Sequence, residues 1–111
     1  MGKIISVNLA KIGDAKLLFK IHNASVKGGY FNSKNLVVYK NHVEWFKKKL
    51  KSNSKIYIGK NSSNKKFGYV RFDEVKSNIF EVSIGNLPKF YGEGLGSLML
   101  QKSIRKFKKN Y

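Results

Sequence analysis

The chain has 111 residues, of which 41% are hydrophobic and 14% aromatic, and its formal net charge is +17 at pH 7. This length and composition predict one globular domain with a single modest core. The sequence contains no cysteine, which excludes disulfides, thiolate metal sites and a cysteine nucleophile and fits a cytoplasmic protein. No apolar run reaches the roughly 20 residues that span a bilayer, so no membrane span is expected.

The positive charge predicts attraction to polyanions, including nucleic acid and nucleotide cofactors. Nearly all of the cations are lysines, and Arg71 and Arg105 are the only arginines. The sequence shows neither an RNA-binding signature nor a helix-turn-helix pattern. We therefore expect no specific nucleic-acid partner, while a general polyanion-binding role stays open.

The first half of the chain predicts one strand and two helices. Apolar and polar residues alternate from Lys3 to Leu9, as in a strand. Gly13-Asp14 precedes a helix predicted from about Ala15 to His22, with Asn23 as its stop. A second helix is predicted from the capping-box pattern Asn41-His42-Val43-Glu44.

Three further strands are predicted, at Ile56 to Gly59, Phe67 to Asp73 and Phe80 to Gly85, followed by a helix at the end of the chain. The predicted order is β-α-α-β-β-β-α within a single domain, 1–111. Three consecutive strands favour a mixed, mostly antiparallel α/β (α+β) sheet, because a doubly wound sheet would alternate strands and helices.

Three glycines on alternate positions, Gly92, Gly94 and Gly96, separate the last predicted strand from the last helix. A glycine-rich turn that opens into a helix presents unpaired N–H groups at the positive end of the helix dipole, which suits a pyrophosphate. The spacing matches neither the G-x-G-x-x-G of dinucleotide-binding folds nor a P-loop. A strand–turn–helix corner whose glycines serve tight packing alone is the alternative.

This turn resembles the R-G-x-G-x-G loop of the GNAT N-acetyltransferases, with Tyr91 in place of the arginine. In that family the amides of the loop hold the pyrophosphate of acetyl-CoA. The resemblance implies acetyl-CoA as co-substrate and a mixed GNAT-like sheet. The cofactor-binding residues that it implies are Leu87, Tyr91, Gly92, Glu93, Gly94, Leu95 and Gly96. The family usually has Arg or Gln where this chain has Tyr91, and Lys89 can supply the missing charge.

The front half resembles one branch of that family, which acetylates amino-sugar nucleotides in nonulosonic acid (pseudaminic or legionaminic type) and surface-polysaccharide pathways. The resemblance rests on Ile21-His22-Asn23, Phe31-Asn32, His42-Val43-Glu44-Trp45-Phe46, Ile56-Tyr57-Ile58 and Gly68-Tyr69-Val70-Arg71-Phe72. It implies acetyl transfer to the amine of a nucleotide-linked amino sugar, with His42, Asn23 and Asn32 binding the substrate. The branch usually has Arg where this chain has His22.

Acetyl transfer to an amine needs a group that removes the proton of the amine. In the family, N–H groups of the last strand, around Gly85 to Leu87 here, hold the pantetheine arm, and a carboxylate on that strand can act as the base. Glu81 is the acidic residue of the strand, and Ser83 could instead hold a water. Both are expected opposite the core-facing residues Phe80, Val82 and Ile84. No metal site is expected, because the two histidines lack nearby carboxylates.

A GNAT domain continues beyond this helix with further strands, so the chain is expected to be a C-terminally truncated, partial domain. The missing part often carries the Tyr that serves as general acid. Two alternatives stay open: a GNAT that acetylates a protein or another small-molecule amine, and a non-catalytic fragment that binds CoA or polyanions. An unpaired strand edge would also favour association, including a homodimer.

Overall fold

The computed structural model describes residues 5–27 and 38–110. The strands are Ser6–Leu9 (β1), Lys55–Lys60 (β2), Lys66–Lys76 (β3) and Ile79–Asn86 (β4), and the helices are Ala15–Lys27 (α1), Tyr39–Lys51 (α2) and Leu95–Asn110 (α3). Short 3-10 turns, Ile12–Asp14 and Pro88–Phe90, precede α1 and α3. This order confirms the predicted mixed α/β fold.

The four strands form one antiparallel sheet in the order β1-β2-β3-β4. Ile58 of β2 lies opposite Tyr69 of β3, and Tyr69 in turn lies opposite Gly85 of β4. Strands β2, β3 and β4 are joined by short turns, whereas α1 and α2 separate β1 from β2. In the described sheet, β4 is therefore an edge strand.

Both faces of the sheet are covered by apolar side chains. The cluster under α3 contains Ile5, Val7, Tyr57, Phe67, Val70, Phe72, Leu95 and Met99. The cluster under α1 and α2 contains Ala15, Leu18, Ile21, Phe46, Ile56, Ile58 and Tyr69. Successive strand residues point to opposite faces, which is why neighbouring residues of β2 and β3 join different clusters.

The helix boundaries differ from the sequence predictions at two places. Helix α1 continues past Asn23 to Lys27, because Asn lowers helix stability only modestly and the first glycine after it is Gly28. Helix α2 begins at Tyr39 after the N-cap Val38, so Asn41 is not the cap residue. The predicted capping box is wrong because the helix already includes the residues on its N-terminal side.

Strand β4 is covered less than its alternation predicted. Phe80 packs on α3, with its ring centroid 4.8 Å from that of Phe107. Val82 and Ile84 are instead 45% and 44% exposed. The buried cluster beneath α3 comes from β1, β2 and β3, so these two side chains lie beyond the covered area. Within the described ranges, no helix is long and apolar enough to cross a membrane.

Candidate active site

The glycine turn lies between the end of β4 and the start of α3. Gly92 and Gly94 adopt positive φ angles of 82° and 74°. A Cβ at either position would meet nothing within 4 Å. The two glycines therefore provide a left-handed backbone conformation and leave the space above it open, instead of allowing tight packing.

Gly96, in the first turn of α3, has a different role. A Cβ there would stand 2.8 Å from Nδ2 of Asn86, so this glycine allows the helix to approach the end of β4. The packing interpretation of the glycines thus holds for Gly96 but not for Gly92 and Gly94. The first N–H groups of a helix have no intrahelical acceptors, so the turn and the helix start together offer backbone donors.

The end of β4 determines which backbone groups face its open edge. The N–H of Leu87 donates to the carbonyl of Phe67 at 2.8 Å, so that donor is already engaged. Because alternate residues of an antiparallel strand bond to opposite sides, the N–H and C=O groups of Ile84 and Asn86 face the open edge. Sequence reasoning, which favoured the amides around Gly85 to Leu87, did not identify Ile84.

A cavity of about 490 Å³ lies on the face of the sheet that α1 and α2 cover. It is lined by Leu18, His22, Asn41, His42, Trp45, Tyr69, Arg71, Ser83 and Ile84. Two residues singled out from the sequence, His42 and Ser83, therefore lie in one cavity although they are far apart along the chain. Its volume is in the range of small-molecule sites.

His42 is 6% exposed, and its Nε2 lies 2.9 Å from the carbonyl oxygen of Ala15. Since a carbonyl only accepts, Nε2 carries the proton and Nδ1 holds the lone pair of the neutral ring. Burial lowers the pKa of His42, the hydrogen bond to Ala15 opposes this, and the nearby His22 lowers it further. The lowered pKa keeps the ring neutral at pH 7. Its hydrogen bond to Ala15 links α2 to the start of α1.

Arg71 is held between an acid and an aromatic ring. Its Nε donates to Oδ2 of Asp73 at 2.7 Å, and its Cζ lies 5.2 Å from the centre of the Trp45 ring. Asp73 also accepts from Ser54 at 2.5 Å and from Lys49 at 3.1 Å. Burial raises the pKa of Asp73, but these hydrogen bonds and the charge of Arg71 outweigh it, and the net pKa is lowered.

The remaining predicted residues lie elsewhere. Glu81 is exposed and does not line the cavity. Asn23 is half-buried on α1 and does not line the cavity. The asparagine that does line it is Asn41. Asn32 lies outside the described residues. In the part of the chain that the structure describes, no cluster of His, Cys, Asp and Glu could hold a metal ion.

Sequence reasoning missed Tyr69 and Arg71 as lining residues and treated Trp45 chiefly as core. The alternation of β3 does place Tyr69 and Arg71 on one face, and Arg71 is one of only two arginines in a lysine-rich chain. These two features of the sequence could have identified Tyr69 and Arg71 as candidate site residues. Which helix covers that face is not a local property of the sequence.

Ile84 lies between the cavity and the first turn of α3. It lines the cavity, and its Cδ1 lies 3.8 Å from the point where a Cβ on Gly96 would stand. The end of β4 therefore lies between the start of α3, whose first N–H groups lack intrahelical acceptors, and a cavity with polar and aromatic walls.

The fold defined by these elements is that of the GNAT acetyltransferases, and solved structures match it. An N-acetyltransferase from Staphylococcus aureus Mu50 superposes with a TM-score of 0.82 at 18% identity, over 96% of this chain and 68% of that one. A ribosomal-protein-alanine N-acetyltransferase from Brucella melitensis gives 0.79 at 17% identity, over 95% and 68%. A GNAT superfamily phosphinothricin acetyltransferase from Sinorhizobium meliloti, in complex with acetyl-CoA, gives 0.72 at 16% identity, over 88% and 56%.

Neither a protein-family model nor a curated protein sequence matches the chain. At these identities the structural likeness establishes the fold. The chain spans between 56% and 68% of the length of these three solved proteins.

Proposed function

We propose that the chain carries the acetyl-CoA site of an N-acetyltransferase that acts on the amine of a nucleotide-linked amino sugar. The observation that carries this proposal is the position of Ile84, which lines the cavity and whose Cδ1 approaches Gly96 in the first turn of α3. The likeness in fold to an acetyltransferase in complex with acetyl-CoA supports it. We place the reaction in the cytoplasm, in line with a sequence without cysteine.

The glycine turn would hold the pyrophosphate. Gly92 and Gly94 leave open space over the backbone, and the N–H groups at the start of α3 lie at the positive end of its dipole. Glu93 adds a negative charge to this turn, while Lys89 lies just before it. The pantetheine arm would then follow the outward amide groups of Ile84 and Asn86 along β4.

When bound, acetyl-CoA would supply a thioester whose acetyl group passes to an amine, with the C–S bond broken and the coenzyme released as its thiol. The cavity would hold the acceptor so that its amine reaches the edge of β4, which makes the attack effectively intramolecular. Ser83 lines the cavity and would orient the amine or a water beside it. Glu81 lies two residues away on the same side of β4 and would receive the proton through such a water.

The lining of the cavity supports an acceptor with an apolar ring and polar substituents. Trp45 and Tyr69 provide aromatic walls, and His42 and Asn41 provide hydrogen-bonding groups. Asn23 and Asn32 remain proposed substrate contacts from the sequence resemblance. No carboxylate lines the cavity within the described residues, which disfavours a strongly cationic acceptor such as a basic peptide.

The first experiment is thermal unfolding of the chain with acetyl-CoA, with ATP and a short oligonucleotide as controls, at physiological salt. A ligand at a hundred times its Kd stabilises a protein by about 2.7 kcal/mol, so a formed site gives a clear shift. Gly94→Ala places a methyl group over the turn and should abolish most of the shift. Asn78→Ala is the matched control, because Asn78 has a φ of 64° in the distant β3–β4 turn.

A second candidate is a fragment that binds CoA or other polyanions without catalysis, and the net charge of +17 favours it. Equal stabilisation by all three anions, lost steeply with added salt, would establish this candidate and refute the proposed site. If acetyl-CoA alone stabilises the chain, acetylation of amino-sugar nucleotides is assayed next. Because β4 is an open edge, the assay is repeated over a range of protein concentrations to detect a homodimer.

A further inference from the structure

The charged groups at the cavity are arranged for an anion. Three lining residues, His22, His42 and Arg71, are bases, and no acid lines the cavity among the described residues. Asp73, the acid behind Arg71, is occupied by hydrogen bonds from Lys49 and Ser54 as well as from Arg71. The cavity wall therefore contains the guanidinium of Arg71 but not the carboxylate of Asp73 with which it pairs, and that carboxylate also pairs with Lys49.

Arg71 is oriented before any ligand binds. Asp73 fixes the Nε end of the guanidinium at 2.7 Å, and Trp45 lies against it at 5.2 Å. A guanidinium has five N–H donors, and the contact with Asp73 engages the Nε–H. Among residues 5–27 and 38–110, Asp73 is the one hydrogen-bond partner of the Arg71 side chain, so the donors of both terminal nitrogens are available.

We propose that Arg71 is the residue that selects the acceptor, by binding an oxyanion of that molecule through its two terminal nitrogens. Paired parallel hydrogen bonds from Arg to a phosphate or carboxylate are both strong and directional. The proposal rests on the proposed function, in which the oxyanion is a phosphate of the nucleotide. Binding at Arg71 would fix where the amine of the same molecule lies relative to β4.

The test compares Arg71→Gln and Arg71→Lys with Arg105→Gln, which removes the same charge from an exposed position on α3. Removing Arg71 leaves Asp73 with Lys49 and Ser54, so a folded variant is expected, and a melting curve checks it. UDP binding is measured by calorimetry with saturating CoA present, so that the glycine turn is filled. L-Glutamate is the second probe, because a carboxylate could be recognised by the same donors.

Loss of charge-assisted hydrogen bonds corresponds to about a ten- to hundredfold weaker affinity. We expect that loss for UDP in Arg71→Gln, a smaller loss in Arg71→Lys, and almost none in Arg105→Gln. The affinity for acetyl-CoA should be the same in all four proteins. If glutamate shows this dependence on Arg71 and UDP does not, the oxyanion is a carboxylate and the nucleotide acceptor is wrong.

UDP and glutamate binding that is unaffected by Arg71→Gln, or no binding of either probe, would overturn the role of Arg71. Neither result would affect the proposed acetyl-CoA site, which the acetyl-CoA titration tests separately. Conversely, failure to bind acetyl-CoA would refute the proposed function, while UDP binding that depends on Arg71 would still support the anion site.

Discussion

The buried His42 makes the stability of this protein depend on pH in a defined direction. Burial lowers its pKa in the folded chain below the ordinary value of 6.5, which the unfolded chain retains. Between these two values the unfolded chain binds more protons than the folded one, so stability rises with pH. The folded state is thus least favoured below the folded pKa and recovers as pH rises to about 6.5.

Two substitutions separate the charge of this residue from its structural role. His42→Ala removes the donor to the Ala15 carbonyl and the ring that packs among Phe19, Trp45 and Phe46. The Ala15 carbonyl keeps its intrahelical partner, so the lost hydrogen bond costs only about 0.5–1.5 kcal/mol; loss of the packed ring adds to it, and we expect about 2–4 kcal/mol of destabilisation in total. His42→Gln keeps an N–H donor but cannot titrate, so it should lose less stability and lack the pH-dependent component.

The assay is urea unfolding from about pH 7.5 to about pH 5.5, followed through the midpoint of the transition. Wild type should weaken towards the acidic end, and His42→Gln should weaken less. His22→Gln is an intermediate case: the charge of His22 contributes to the lowered pKa of His42, so its removal should reduce the pH dependence only in part. An unchanged pH dependence in His42→Gln would refute the assignment of a neutral buried ring.

Two further predictions concern the face of the sheet that bears the cavity. Asp73→Asn should weaken the fold by about 1–3 kcal/mol at neutral pH, because it removes the charge that faces Lys49 and Arg71 and replaces one acceptor oxygen by an NH2 donor. The pKa of Asp73 in the folded chain is lowered, so the stability that its charge contributes is lost as pH falls below 3.8. The difference in stability between wild type and variant should therefore shrink in acid, and a difference that stays constant in acid unfolding curves would contradict this prediction. Gly85→Ala would place a methyl group 2.6 Å from the Tyr69 ring and 2.8 Å from Ile21, both buried, and should cost about 1–3 kcal/mol. Gly13→Ala, where a Cβ meets nothing within 4 Å, is the control, and equal denaturation midpoints for the two variants would show that the sheet accommodates the methyl group.

The sequence by itself determined the order of the elements and the position of the glycine turn. Those features are local: apolar residues recur with a period of two in strands and 3.6 in helices, and glycine permits positive φ at Gly92 and Gly94. The same local reasoning failed at Asn23 and Asn41, because neighbouring residues extended both helices beyond the expected ends. Propensity at one position is a weak constraint against a helix whose apolar face is buried.

The tertiary structure alone decided which side chains form the cavity. His42 is buried because α2 packs against the start of α1, and the Trp45 ring of α2 lies beside Arg71 of β3 only in the folded sheet. Val82 and Ile84 are exposed although their spacing is that of core residues, because on β4 the packing against α3 includes Phe80 but does not bury these two side chains. These contacts join residues far apart in the chain, and the free energy that selects them is the burial of whole faces, which no short pattern encodes.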